Sequence, residues 1–309
     1  MNHRILAAIR SQPWAIMPEY LDVIEAFALR QFDADVVIEV AADGHEQRFA
    51  TALAQMGERA SGTQHAAFRD GVGSLPIFGP LIPRGTGPNA SAPLVSLAAL
   101  AADFRALEAA PDVKKILLVF DSPGGMVTDV NAFAQMIAGA SKPVYGFVSG
   151  DCCSAAYWIG SQCRELSSDP TARLGNIGVM MGGSVQEAPD SEGRRGVNVI
   201  SSNAPLKRVD LATEEGQASI RAMLDGIEEV FLQAVARGRK VPVSTVKQDF
   251  GQGAPMSAKQ AKSAGLIDRI EANGLAGALS RLASPVRTAT PRRAAAAHQL
   301  AHIRAQSLK

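Results

Sequence analysis

Two serine- and glycine-rich junctions and one lysine hold the residues of this chain whose types and spacing could do covalent chemistry. The first junction, Asp121-Ser-Pro-Gly-Gly-Met126, follows the apolar run Lys115–Phe120 and precedes a helical pattern. Pro123 fixes its own φ, while Gly124 and Gly125 allow positive φ and leave the backbone uncovered. Amides near Gly125 then stand at a helix start, unpaired and aimed at any anion there, which is how an oxyanion hole is built. The same residues also suit an ordinary strand-to-helix turn. The second junction, Ser149-Gly-Asp-Cys-Cys-Ser-Ala-Ala-Tyr-Trp158, follows a strand pattern ending at Val148. Small neighbours let Ser154 approach another backbone closely, with its hydroxyl facing the crevice of Gly125. A buried small residue at a helix start fits the pattern as well.

A nucleophilic serine needs a base. The five histidines are His3, His45, His65, His298 and His302, all outside the stretch of alternating strands and helices. A Ser-His-Asp triad, or Cys-His chemistry at Cys152 or Cys153, would have to borrow a histidine from the N-terminal arm or the tail. A Ser-Lys pair is the remaining variant of the triad logic. Lys114, Lys115 and Lys142 precede strands, at the sheet end opposite the two junctions. Lys207 follows an expected strand, Val197–Ile200, on the junctions' side. It sits in Ser-Asn-Ala-Pro-Leu-Lys, an uncharged stretch able to desolvate an amine, although a solvated surface lysine fits there too.

The elements that must position these residues read as follows. Residues 1–70 form an expected helical arm: Pro18 can open a helix, and Leu21, Ile24, Phe27 and Ala28 fall at helical spacing. Gly, Pro, Ser and Thr dominate from about residue 60 to 93, around one extended run, Ser74–Ile82. Helix and strand patterns then alternate to about residue 271. Helices are expected over Leu94–Ala110, Val127–Ala138, Ser154–Cys163 and Thr213–Arg237. Strands are expected over Lys115–Phe120, Pro143–Val148, Gly178–Met181 and Val197–Ile200. This alternation predicts βαβ units and a largely parallel sheet, with ligands at the strands' carboxyl ends. The core is set at 71–275. The tail, 276–309, is rich in Ala and Arg; from residue 272 onward there is no acidic residue.

Composition narrows the function class. A chain of 309 residues, 47% hydrophobic, can bury a sizeable core, and a net charge of +1 implies no global pull toward nucleic acid or membrane. The three cysteines, two of them adjacent, suit neither a disulfide framework nor a zinc site and point to a reducing compartment, and a Ser-Lys mechanism requires no metal or cofactor. No apolar run approaches the roughly 20 residues of a membrane helix, and Ile5–Ile9 is short for a secretion signal. A cytoplasmic protein is the expectation.

The combined motifs resemble signal peptide peptidase A. They are Leu118-Val-Phe-Asp-Ser-Pro-Gly-Gly125, Lys142-Pro-Val, the serine followed by Ala-Ala-Tyr, Leu174-Gly-Asn-Ile-Gly-Val179, and Met256-Ser-Ala-Lys-Gln-Ala-Lys-Ser-Ala-Gly-Leu-Ile-Asp268. Lys207 follows Ser154 by 53 residues, similar to the family's interval. The likeness covers about residues 75–272. Pro13-Trp-Ala-Ile-Met-Pro-Glu-Tyr-Leu21 is similar to the head of phage capsid-assembly proteases of the minor capsid protein C type. Asp151-Cys-Cys departs from the commoner small apolar residues before the serine, and Trp158 closes an unusual Ala-Ala-Tyr-Trp. The resemblance implies an α/β fold of the crotonase/Clp-protease βα superhelix type and a serine peptidase. It implies Ser154 as nucleophile, Lys207 as base and the amides of Gly125 and Ala155 as oxyanion hole. It also implies a homo-oligomer in which the lysine can come from a neighbouring subunit, acting on portal, scaffold or capsid proteins. The alternatives are a signal-peptide-degrading enzyme, an acyl-CoA hydratase or isomerase on a related fold, and a catalytically silent capsid scaffold component with a vestigial site.

Overall fold

The computed structural model describes residues 6, 9–30, 45–85, 94–182 and 200–283. Its strands are β1 (Trp14–Ile16), β2 (Glu58–Arg59), β3 (Ala67–Arg69), β4 (Val72–Phe78), β5 (Leu81–Ile82), β6 (Val95–Ser96), β7 (Lys115–Ser122), β8 (Gly124–Met126), β9 (Val144–Cys153), β10 (Glu165–Ser168), β11 (Arg173–Gly175), β12 (Pro255–Ser257) and β13 (Arg269–Ile270). Its helices are α1 (Pro18–Arg30), α2 (His45–Met56), α3 (Leu97–Ala109), α4 (Val130–Ala138), α5 (Ala155–Gly160), α6 (Glu214–Arg239), α7 (Val243–Asp249), α8 (Ala258–Ala264) and α9 (Gly274–Ala283).

The protein is α/β. The main sheet runs β12-β11-β9-β7-β4-β3-β2, with β10 also beside β9 and β13 beside β10. Its centre, β4-β7-β9, is parallel. Such strands are covered on both faces, which is why Lys115–Phe120 reads as a continuous apolar run. Successive side chains of β7 divide by the two-residue period of a strand. Ile116, Leu118 and Phe120 join the core that holds Phe104 of α3, Phe133 of α4 and Trp158 of α5. Leu117 and Val119 join the smaller core with Met56 of α2 and Leu279 of α9. Trp158 stacks on Phe231 with ring centroids 4.5 Å apart, tying α5 to the rear half of α6.

The arm is more than helical. Besides α1 and α2 it contains β1, β2 and β3, and the division at residue 70 falls within a hairpin. Asp70 (φ 49°) and Gly71 (φ 79°) form its turn, joining β3 to β4 in an antiparallel pair. Asp-Gly is a preferred pair where both central residues need positive φ. The expected strand Gly178–Met181 is a single bridge, Met180 to Trp14. The expected strand Val197–Ile200 lies outside the described residues but for Ile200, and the tail beyond Ala283 lies outside them too. A second sheet, β1-β8-β5-β6, stands over the carboxyl ends of β7 and β9 and carries the first junction.

Candidate active site

A break in the central pairing makes the site. From Ile116 to Phe120, β7 pairs with Val144 to Val148 of β9 in step, but Ser122 then faces Cys152. β9 therefore sets three residues, Ser149-Gly-Asp151, against the single Asp121 of β7, a bulge that bends the strand. Asp121 fills the break: one carboxylate oxygen accepts the Asp151 amide at 3.1 Å, and the other accepts Arg48 Nε at 2.9 Å. A Cβ at Gly150 would lie 2.3 Å from the Asp121 carboxylate, so only glycine fits beneath it.

Beyond the bulge, β9 turns into α5 at Ser154. Its backbone sits at φ 53°, ψ −119°, a region that L-residues other than glycine rarely enter. The turn is pinned from both sides: the Ser154 amide donates to the Gly175 carbonyl at 2.7 Å, and its carbonyl accepts Trp158 N–H at 2.9 Å. Strain held this firmly at a strand-to-helix serine is the geometry of a nucleophile elbow. The Ser154 hydroxyl donates to the Gly178 carbonyl at 3.4 Å, and the residue is only 1% exposed.

The glycine turn is brought to this serine. A Cβ on Gly124 (φ 105°) would stand 3.0 Å from the Ser154 Cβ, 3.0 Å from the Cys153 carbonyl oxygen and 2.2 Å from that of Ala15. Gly124 faces the serine; Gly125, one residue on, packs on the Leu81 backbone, with its own missing Cβ 2.1 Å from the Leu81 oxygen. Ala155, the residue after the serine, opens α5 and is fully buried. Lys207 ends a 3₁₀ turn, Pro205–Lys207, and is exposed. Among the described hydrogen bonds, the one Ser154 Oγ donates goes to Gly178 rather than to Lys207.

Charge around the serine is organised on Asp151, which sequence reading singled out only as an unusual neighbour. Its buried carboxylate takes a two-pronged bond from Arg173, at 2.8 and 2.7 Å, and a longer one from Tyr20 Oη at 3.4 Å. Arg173 also reaches Glu19 at 3.6 Å. The bond to Asp151 raises the Arg173 pKa against the opposing effect of burial, so this guanidinium is a fixed charge. Burial and the Asp151 carboxylate raise the Tyr20 phenol. The thiols are not competing nucleophiles. Burial pushes Cys152 and Cys153 well up, and Cys163 to about 12, so the reactive thiolate is suppressed. Among the described residues no cluster of three or more His, Cys, Asp or Glu could hold a metal, and no helix is long and apolar enough to cross a membrane.

Residues 137–284 match Peptidase family S49. That stretch, just under half of the chain, is similar to an S49 peptidase domain. Capsid assembly protease C of Escherichia phage lambda is 27% identical over 208 residues, covering 65% of this chain and 46% of that protein. Head-tail preconnector protein GP5 of Enterobacteria phage P21 is 25% identical over 275 residues, or 86% of this chain and 54% of that protein. Protease 4 of Salmonella typhi is 27% identical over 167 residues, 52% of this chain and 26% of that one. The chain thus spans about half the length of the two phage relatives. The S49 match includes β9, Ser154 and Lys207, whereas the glycine turn and the Trp14–Ile16 strand lie before it.

Proposed function

We propose that this chain is a serine endopeptidase in which Ser154 and Lys207 form the dyad, on a βα core of the crotonase/Clp-protease type. The observation that carries the reading is the strained, doubly pinned turn at Ser154, set against a glycine turn at the end of a parallel sheet. In the reaction, neutral Lys207 takes the Ser154 proton as Oγ attacks the peptide carbonyl. Amides of the glycine turn, Gly125 included, and of Ala155 stabilise the oxyanion, donors whose single loss typically costs 10²–10³ in rate. The C–N bond breaks, the amine leaves with the proton from the lysine, and water hydrolyses the Ser154 ester.

The exposure of Lys207 favours its supply to the serine of a neighbouring copy. Leu206 beside it is 66% exposed, and the front half of α6 leaves Ile220, Met223, Leu224 and Ile227 incompletely buried at helical spacing. An apolar stripe of this kind is what a homo-oligomer would cover. The names of the two phage relatives support a substrate among prohead proteins, namely portal, scaffold or capsid subunits. The test is twofold. A fluorophosphonate should label Ser154 and nothing in Ser154→Ala, and incubation with prohead proteins should yield discrete fragments with the wild type alone. An unlabelled Ser154 in a folded protein that also leaves every prohead protein whole would overturn the reading.

A further inference from the structure

We infer that the chain's own segment Pro13–Met17 occupies the place of the substrate strand. The site then recognises an extended peptide with a small residue between two large apolar ones. This rests on the peptidase reading for its function, though not for its geometry.

The segment lies between two backbones. On one side β1 runs antiparallel to β8, with Ala15 opposite Gly125. Met17 N–H donates to the Pro123 carbonyl at 3.0 Å, and Val127 N–H to the Pro13 carbonyl at 3.3 Å. Hydrogen-bonded pairs recur at every second residue of an antiparallel ladder, so Ala15 and Gly125 between them form another such pair. The proposed oxyanion strand is therefore already engaged. On the other side Trp14 and Met180 exchange both backbone bonds at 2.8 Å. The Gly178 carbonyl near that rim accepts the Ser154 hydroxyl.

Side chains alternate as a bound peptide's would. Trp14 and Ile16 pack with Leu21, Met126 and Met180, while Ala15 points into the main core and is 0% exposed. The Ala15 carbonyl oxygen, the Cys153 carbonyl oxygen and the Ser154 Cβ all crowd the place a Gly124 side chain would take, and the serine is nearly inaccessible. A nucleophile so covered cannot meet a peptide carbonyl until this strand moves. Two-sided strand addition is a general mode of peptide capture. A tethered strand acts at an effective concentration on the order of millimolar, so it competes with any substrate of modest affinity.

The paired backbone bonds of Trp14 and Met180 place them at the roughly 5.5 Å Cα spacing a disulfide accepts. In a Trp14→Cys, Met180→Cys variant, oxidation locks the strand in place and reduction frees it. The probe is a fluorescein-labelled peptide of the sequence of residues 13–21, which keeps the tryptophan that the tether has lost. The reduced protein should bind it at least tenfold more tightly than the oxidised protein. The same peptide with Phe in place of Ala15 should bind at least tenfold more weakly. Equal binding to both forms, no binding to the reduced form, or failure of the disulfide to form would overturn the inference. Binding needs no nucleophile, so a loss of the peptidase reading, seen as an unlabelled Ser154, stays separate from this result.

Discussion

The backbone at Ser154 allows a test of function through stability. A non-glycine residue in such a region costs on the order of 1–3 kcal/mol. Ser154→Ala removes the proposed nucleophile but keeps φ 53° and ψ −119°. Ser154→Gly removes the hydroxyl and the strain together, while adding unfolded-chain entropy of roughly 0.5–1 kcal/mol. The hydroxyl's 3.4 Å bond to Gly178 is lost in both variants and cancels. The glycine variant should therefore be the more stable of the two by about 1 kcal/mol. That is a rise in Tm of about 2 °C, judged from the 2–4 °C per kcal/mol of somewhat smaller domains. Ala156→Gly, within α5 two residues on, supplies the control and should lose about 1 kcal/mol. Urea midpoints at constant m-value read the difference directly. A Ser154→Gly protein no more stable than Ser154→Ala would show that the turn stores no strain, and the nucleophile-elbow argument would fall with it.

Three further outcomes are expected. Lys207→Arg should be as inactive as Lys207→Ala, because guanidinium does not give up its proton in proteins; mixing Lys207→Ala with Ser154→Ala should restore cleavage if the lysine crosses an interface. Gly124→Ala should lower kcat/KM for a peptide by at least 10²-fold, since its Cβ meets the Ser154 Cβ at 3.0 Å and φ 105° disfavours any side chain; a loss below threefold would remove this turn from the site. Burial alone would raise the Asp268 carboxyl, but bonds from Arg239 (2.9 and 2.9 Å) and the Leu166 amide (2.8 Å) outweigh it and hold it below its usual range. A depressed folded-state pKa gives stability that is full above the unfolded value and lost as pH falls through the folded one. Asp268→Asn should accordingly lower the urea midpoint near neutrality and flatten its fall below about pH 4.

The strands and helices around the site were legible because they are buried on defined faces. Lys115–Phe120 is apolar at every position after its first, as a strand covered on both sides must be, and Val144–Val148 beside it pairs in simple register. Ser154 and the glycine turn were legible as strand ends. The bulge was not, since nothing in Ser-Gly-Asp says which residues will oppose a partner; only the Asp121 carboxylate, reaching across to the Asp151 amide, decides it. The Asp70-Gly71 turn carried a readable hairpin signal, yet the composition of the arm drew attention to helices instead. Trp14–Ile16 is too short to show a period. It becomes a strand only because two other backbones offer it partners, which is a tertiary fact. Gly124 and Gly125 look equivalent in sequence, and the pleat alone turns the first toward Ser154 and the second toward Leu81.

The polar contacts of the arm explain how one short strand can both cover the serine and release it. Around Ser154 the arm is held by Tyr20 on Asp151 at 3.4 Å and Glu19 on Arg173 at 3.6 Å, both long, and Glu19 is more than half exposed. Pairs of that kind contribute little, at most about 1 kcal/mol each. By contrast Asp151 and Arg173 bind each other at 2.7 Å within the core's own framework. Releasing only the segment Pro13–Leu21, with Arg48 still on Asp121 and Arg173 on Asp151, therefore leaves no buried charge unpaired beside the serine. The penalty for opening is chiefly the apolar surface of Trp14, Ile16 and Met17, which an incoming apolar strand would bury in turn. Exchange of one such strand for another is then close to balanced, and Ser154 is exposed only while the exchange proceeds.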